Sequence, residues 1–174
     1  MNITQLVTIM RAADTRFKNR IGGALDVDVA LDQTVQVDTA FIIPREETAS
    51  DNAEDQGINQ TVTERFGIVV VLAADKSDAD KTAFVATSEL HDVRAEIWRV
   101  FLNLNLTDTA GKIWTESPIF YEGMSVLGYN RANLWVMFKF AYRIKIDSGD
   151  GVPEDAADLF NSIWAQYQLT GGNE

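Results

Sequence analysis

The sequence predicts an α+β domain: a mainly antiparallel β-sheet packed on one face by two long helices, with an additional C-terminal helix. Three observations lead there. Apolar residues recur at helical spacing near the N-terminus and again around residues 90–104. TVTERFGIVVVLAAD and LWVMFKFAYRIKI instead alternate with the period of a strand. The strands come in groups with helices between the groups, which favours antiparallel pairing over alternating βα units.

The first helix rests on Ile3, Leu6, Val7, Met10, Phe17 and Ile21, with polar Gln5, Thr8, Arg11 and Lys18 between them. Gly22 and Gly23 should stop it, because a helix C-terminus commonly needs a left-handed residue. TVQVDTAFIIP then reads as a strand that Pro44 ends, since proline cannot donate to a ladder. PREETASDNAEDQGIN is charged and nearly devoid of large apolar residues, so a long exposed loop or hairpin arm is expected over about residues 44–59. In TVTERFGIVVVLAAD, Phe66, Ile68, Val70 and Leu72 line one face. Val69 and Val71 make the other face apolar near its end, as in a central strand.

DKSDADKT leads into the longest helix, in which Leu90, Val93, Ile97, Val100, Phe101 and Leu104 share one face. After Gly111, PIFYEGMSVL, the turn-like GYNRAN and LWVMFKFAYRIKI read as a β-hairpin. Every even position from Leu134 to Ile146 is apolar, while the odd side passes from Trp135 and Met137 to Lys139, Arg143 and Lys145. DSGDG is a turn by composition. A last helix is expected over about residues 153–168, with Pro153, Glu154 and Asp155 at its start and Leu159, Phe160, Ile163, Trp164 and Tyr167 as its stripe. The 174 residues are expected to form a single domain, 1–174, long enough to bury roughly two thirds of its unfolded surface.

Composition narrows the function classes. Fifteen basic against twenty-six acidic residues give a net charge of -11, which argues against long-range attraction to nucleic acid or to an anionic membrane. Such acidity suits a surface past which DNA moves without sticking, although solubility alone explains it equally well. There is no cysteine, hence no disulfide, thiolate nucleophile or cysteine metal site, in keeping with a reducing compartment. No secretory signal and no membrane span are expected from the N-terminal pattern or from any apolar run.

Residues for chemistry are sparse. His91 is the single histidine, and no second histidine or cysteine can complete a triad or a facial metal site with it. Asp75, Asp78 and Asp80 of DKSDAD lack the central glycine and distal glutamate of an EF-hand. Asp26, Asp28 and Asp32 of LDVDVALD alternate as in any half-exposed strand. Phosphate-loop, dinucleotide, nucleophile-elbow and zincin motifs are missing. No catalytic residue, metal ligand or cofactor is expected, and the reading is not that of an enzyme. Interaction surface is the better expectation. Arg11, Arg16, Lys18 and Arg20 give the first helix a basic face, although Lys18 and Arg20 equally complement its C-terminus. Trp98, Trp114, Trp135 and Trp164 lie in four elements; core packing is their ordinary role, and tryptophan is also a favoured interface anchor.

Five blocks carry a family resemblance: ITQLVTIMRAADTRFKNRIGGALD, VDTAFIIPREETA, NQTVTERFGIVVVLAAD, ELHDVRAEIWRVFLNL and PIFYEGMSVLGYNRANLWVMFKFAYRI. In order and spacing, over roughly Ile3 to Ile146, the chain resembles the tail terminator (tail completion) proteins of long-tailed bacteriophages and prophages. The resemblance implies a structural virion protein: a homo-oligomeric ring, commonly a hexamer, on the last ring of the tail tube. It implies that this ring stops tube polymerisation, sits at the head-proximal end of the tail, and meets a head-completion or neck protein. DNA would pass through its lumen without specific binding, no membrane would be involved, and assembly would take place in the bacterial host cytoplasm. Another head-to-tail connector or neck protein is the alternative, with a small ligand-binding domain or enzyme further off.

A ring requires heterologous contacts, one patch of each copy meeting a different patch of the next. Opposite charges on the two patches favour that pairing. The expected subunit-contact residues are therefore Arg45, Glu46, Glu47, Asp51, Glu54 and Asp55 on the arm, and Trp135, Lys139, Arg143 and Lys145 on the back of the last strand. Arg11, Arg16, Lys18 and Arg20 are expected as further partner contacts.

Overall fold

A computed structural model of the chain describes residues 1–24, 37–54, 57–73, 84–129 and 133–150. Among them two α-helices and five strands have defined bounds. In chain order these are α1 (Ile3–Ala12), β1 (Ile21–Gly22), β2 (Thr39–Ala49), β3 (Asn59–Ala73), α2 (Phe84–Phe101), β4 (Phe120–Tyr129) and β5 (Asn133–Asp147), followed by a 3-10 turn at Ser148–Asp150. The strands form one sheet in the order β1-β2-β3-β5-β4. Two compact units divide the chain, Met1–Thr48 with Thr63–Ile144, and Ala49–Val62 with Lys145–Glu174.

This architecture corrects the expected fold class. The described residues are mostly β-sheet, and the sheet is mixed, because β1 runs parallel to β2 through the pairs Ile21↔Ala40 and Gly22↔Phe41. The first helix is not long. It spans 10 residues, capped by the Asn2 side chain accepting from the Gln5 N–H, and ends at Ala12, ten residues short of Gly22. Ala13 is already extended, at φ -81 and ψ 146, and residues 14–19 make turns held by Lys18 N–H to Thr15 O and Arg20 N–H to Phe17 O. The Thr15 N–H donates to the Ala13 carbonyl at 3.0 Å instead of continuing the helical ladder. Phe17 and Ile21 are nevertheless buried, at 0% and 2% exposure, the first from a turn and the second from β1. They serve the same core as the helix, which is why their spacing mimicked it. The expected C-terminal helix at 153–168 lies outside the described residues.

A second correction concerns Pro44. It does not end the strand, since β2 runs on to Ala49. β1 covers β2 only at Ala40 and Phe41, so among the described residues the edge beyond has no partner strand, and an edge tolerates a residue without an N–H. Of the stretch expected as a long exposed loop or hairpin arm, residues 44–49 belong to β2 and Asn59 opens β3.

Within the first unit, the even residues of β3 and β5 face the helices. Phe66, Ile68, Val70, Leu72, Val136, Phe138, Phe140 and Tyr142 join Leu6, Val7 and Met10 of α1 and Val93, Ile97 and Phe101 of α2 in one core cluster. Each large side chain buried there is worth roughly 1.5–3 kcal/mol. Phe66 centres an aromatic group, 5.6 Å from Phe140 and 5.7 Å from Phe101. Trp98 and Trp114 pack edge-on against Tyr121 and Tyr142. α2 stops where Asn103 takes a left-handed φ of 63, which asparagine tolerates better than most residues.

In the second unit, Asn52 organises the turn. Its amide donates to the carbonyls of Glu54 and Gly57, and its oxygen accepts from the Asn59 N–H, each at 2.8 Å. Ser50 N–H donates to Thr61 O, and the Ile58 N–H donates to Ser148 Oγ at 2.9 Å. Gly57 has φ 105 and stands so close to Ser148 that a Cβ there would lie 2.9 Å from its hydroxyl oxygen.

Candidate functional site

The odd face of β5 divides into an apolar end and a charged end. At the apolar end Trp135 is not a lone surface ring. It stacks on Phe41 of β2, with centroids 6.5 Å apart and planes within 6°, and packs with Ile43 and Met137 over buried Val69 and Val71. Gly67 of β3 makes room, because a Cβ there would lie 2.7 Å from Met137 Sδ.

β4 carries two register breaks against β5, Tyr121/Gly123 beside Lys139 at the charged end and Val126/Gly128 beside Trp135 at the apolar end. The first contains Glu122, followed by Gly123 at φ 133, a conformation that favours glycine. From there the Glu122 carboxylate meets Arg65 of β3 at 2.9 Å and Arg45 of β2 at 3.8 Å. Arg45 also pairs with Glu46 at 3.4 Å, and Arg65 lies 3.9 Å from Glu46 and donates to Thr48 Oγ1. Glu46 itself keeps 61% of its side chain exposed.

Lys139 stands opposite Gly123 in the β4–β5 register, and its ammonium has no ion pair or hydrogen bond among the described residues. Arg143 is exposed and lays its guanidinium over the Phe120 ring of β4, 5.7 Å from the centroid. Both cations therefore lie beside the outermost strand. That strand also shows apolar side chains to solvent: Met124 is 38% exposed, Val126 54% and Leu127 51%.

The remaining candidates fall elsewhere. Lys145, Asp51 and Glu54 belong to the second unit, where the Glu54 carboxylate accepts from the Asn59 amide at 2.8 Å. Asp55 lies outside the described residues. Of the four N-terminal cations, three hold the fold. Arg11 donates to the Ile21 carbonyl, Arg16 pairs with Glu96 at 3.0 Å, and Arg20 donates to the Asp38 carbonyl. Burial acts on Arg16 most, but the bond and charge of Glu96 outweigh it and raise its pKa. Arg16, Lys18 and Arg20 follow α1 instead of lining it, so the expected basic helix face does not exist as such. Lys18 is exposed, with φ 48.

Chemistry finds little support in the described residues. No group of three or more histidine, cysteine or acidic side chains is placed to hold a metal. DKSDAD and Asp26, Asp28 and Asp32 lie outside them. His91 meets Arg94 at 3.0 Å. The hollow of about 610 Å³ beside Asn2, Gln5 and Trp114 contains Asp108, but that carboxylate accepts from the backbone N–H groups of Ala110 and Lys112 and so shapes its own turn. No described helix is long and apolar enough to cross a membrane.

Strand edges, exposed apolar side chains and cations at a sheet margin are the features of a protein built to join others. The comparison with protein families gives that class its place. The model of the phage tail terminator protein family matches residues 1–150, and the chain belongs to this family of phage tail structural proteins. Among solved structures, it is similar to a chain of the virion of a native gene transfer agent particle. That chain is 11% identical, with 82% of this chain and 93% of that chain covered and a TM-score of 0.42. A search of curated proteins returns no match.

Proposed function

We propose that the protein is the ring-forming terminator of a phage tail. Copies close into a ring, six being the expected number, on the last ring of the tail tube. The ring stops tube polymerisation at the head-proximal end and offers its other surface to a head-completion or neck protein. It carries no catalysis and needs no cofactor, and DNA passes through its acidic lumen unbound. The observation that carries this reading is the family match over residues 1–150.

Within it, subunits meet through the acidic stretch containing Glu46, Glu47, Asp51, Glu54 and Asp55, with Arg45, against a neighbour's Trp135, Lys139, Arg143 and Lys145. Lys139, which has no partner among the described residues, and the exposed Arg143 support the receiving half of that contact. Light scattering and negative-stain microscopy test the reading, on the free protein and on protein mixed with polymerised tail tubes. Rings with a central hole, free or on tube ends, are expected. A protein that binds phage heads and ignores tubes would point to a head-side connector instead, and one that stays monomeric and binds neither would end the proposal.

A further inference from the structure

We infer that neighbouring copies join by strand pairing, the β4 edge of one copy lying along the β2 edge of the next, so that the sheets continue from subunit to subunit. The inference rests on the ring reading above and names its contact.

β4 and the part of β2 beyond Phe41 are edges of the same sheet, at opposite ends of its strand order. Among the described residues neither has an outer partner. An exposed edge presents unpaired N–H and C=O groups, and proteins that stay monomeric protect such edges with proline or charge. The two edges are treated differently. β2 carries Pro44, Arg45, Glu46 and Glu47 along its open length. β4, FYEGMSVLGY, has a single charge, Glu122, and that carboxylate is drawn inward by Arg65 and Arg45. The β4 edge is left with Met124, Val126 and Leu127 exposed and with Lys139 and Arg143 beside it.

Charge selects the partner. Two β4 edges brought together would set cation against cation, and two β2 edges would set Glu46 and Glu47 against their own kind. A β4 edge against a β2 edge brings Lys139 and Arg143 to the glutamates, so the heterologous pairing that a ring needs is favoured over either symmetric one. Pro44 narrows the register, since it offers no N–H to a neighbouring strand.

The sequence contains no cysteine, so introduced thiols report on this contact alone. Val126→Cys is combined in turn with Glu46→Cys, Glu47→Cys and Thr48→Cys, and each protein is oxidised both free and on polymerised tail tubes. At least one double variant should give a ladder of covalent multimers on a denaturing gel, while each single variant stays monomeric. Rings that form without a ladder in any double variant, or covalent dimers from Val126→Cys alone, would overturn the strand pairing and leave the ring reading standing. Protein that neither oligomerises nor binds tubes would remove both.

Discussion

Glu64 is a carboxylate on the apolar face of β3, 4% exposed, and it accepts a hydrogen bond from the buried Tyr142 hydroxyl of β5. Tyr142→Phe removes that donor and should cost about 1–3 kcal/mol, read as a lower urea midpoint. The pair also has a pH signature. Burial first, then the hydrogen bond to Glu64 and its negative charge, push the Tyr142 hydroxyl above the ordinary tyrosine range. The native state keeps this proton where the unfolded chain releases it, above about pH 10. Stability from Tyr142 is complete below that value and declines as pH rises beyond it. Wild type should therefore lose stability above about pH 10 more steeply than Tyr142→Phe, and parallel midpoint profiles would refute the assignment. Glu64 continues the even-numbered row of Phe66, Ile68, Val70 and Leu72 toward the start of β3, a place the alternation of apolar residues does not single out. Its partner, 78 residues away, was not legible either, because alternation gives a face and says nothing of which strand lies beside it.

Single elements show where periodicity is sufficient. β3 and β5 were legible because each places a long apolar row on one face, and Val69 with Val71 marked β3 as interior. α1 was overextended because Phe17 and Ile21 enter the core from outside the helix. Pro44 misled because proline forbids a ladder bond on one side only, and the sequence does not say which side is open. β4 hid its bulges, although a glycine next to Glu122 inside a strand is a signal of one. Gly123→Ala tests that element. At φ 133 a side chain strains the backbone by about 1–3 kcal/mol, so the thermal midpoint should fall, whereas Gly128→Ala, with nothing within 4 Å of the added carbon, should fall less. Equal losses would mean that the bulge does not depend on the glycine.

For the molecule as a whole, the family was legible in the order of its blocks, and the sheet's mixed character was not, since β1 is two residues long and carries no pattern of its own. Assembly belongs to this scale. Lys139→Glu with Arg143→Glu should leave the circular dichroism spectrum unchanged and shift the protein toward monomers. Adding Glu46→Lys and Glu47→Lys should restore oligomers, and no recovery would mean that these charges do not face one another. Raised salt should weaken the wild-type contact in the same direction. The two register breaks in β4 then acquire a geometric meaning. Bulges bend and twist the strand that holds them, and in copies joined edge to edge the turn made at each joint accumulates around the assembly. Whether such a series meets its own beginning or runs on as a helical filament depends on that angle. The curvature stored at Gly123 and Gly128 would thus set how many copies complete the circle, and hence the width of the opening it surrounds.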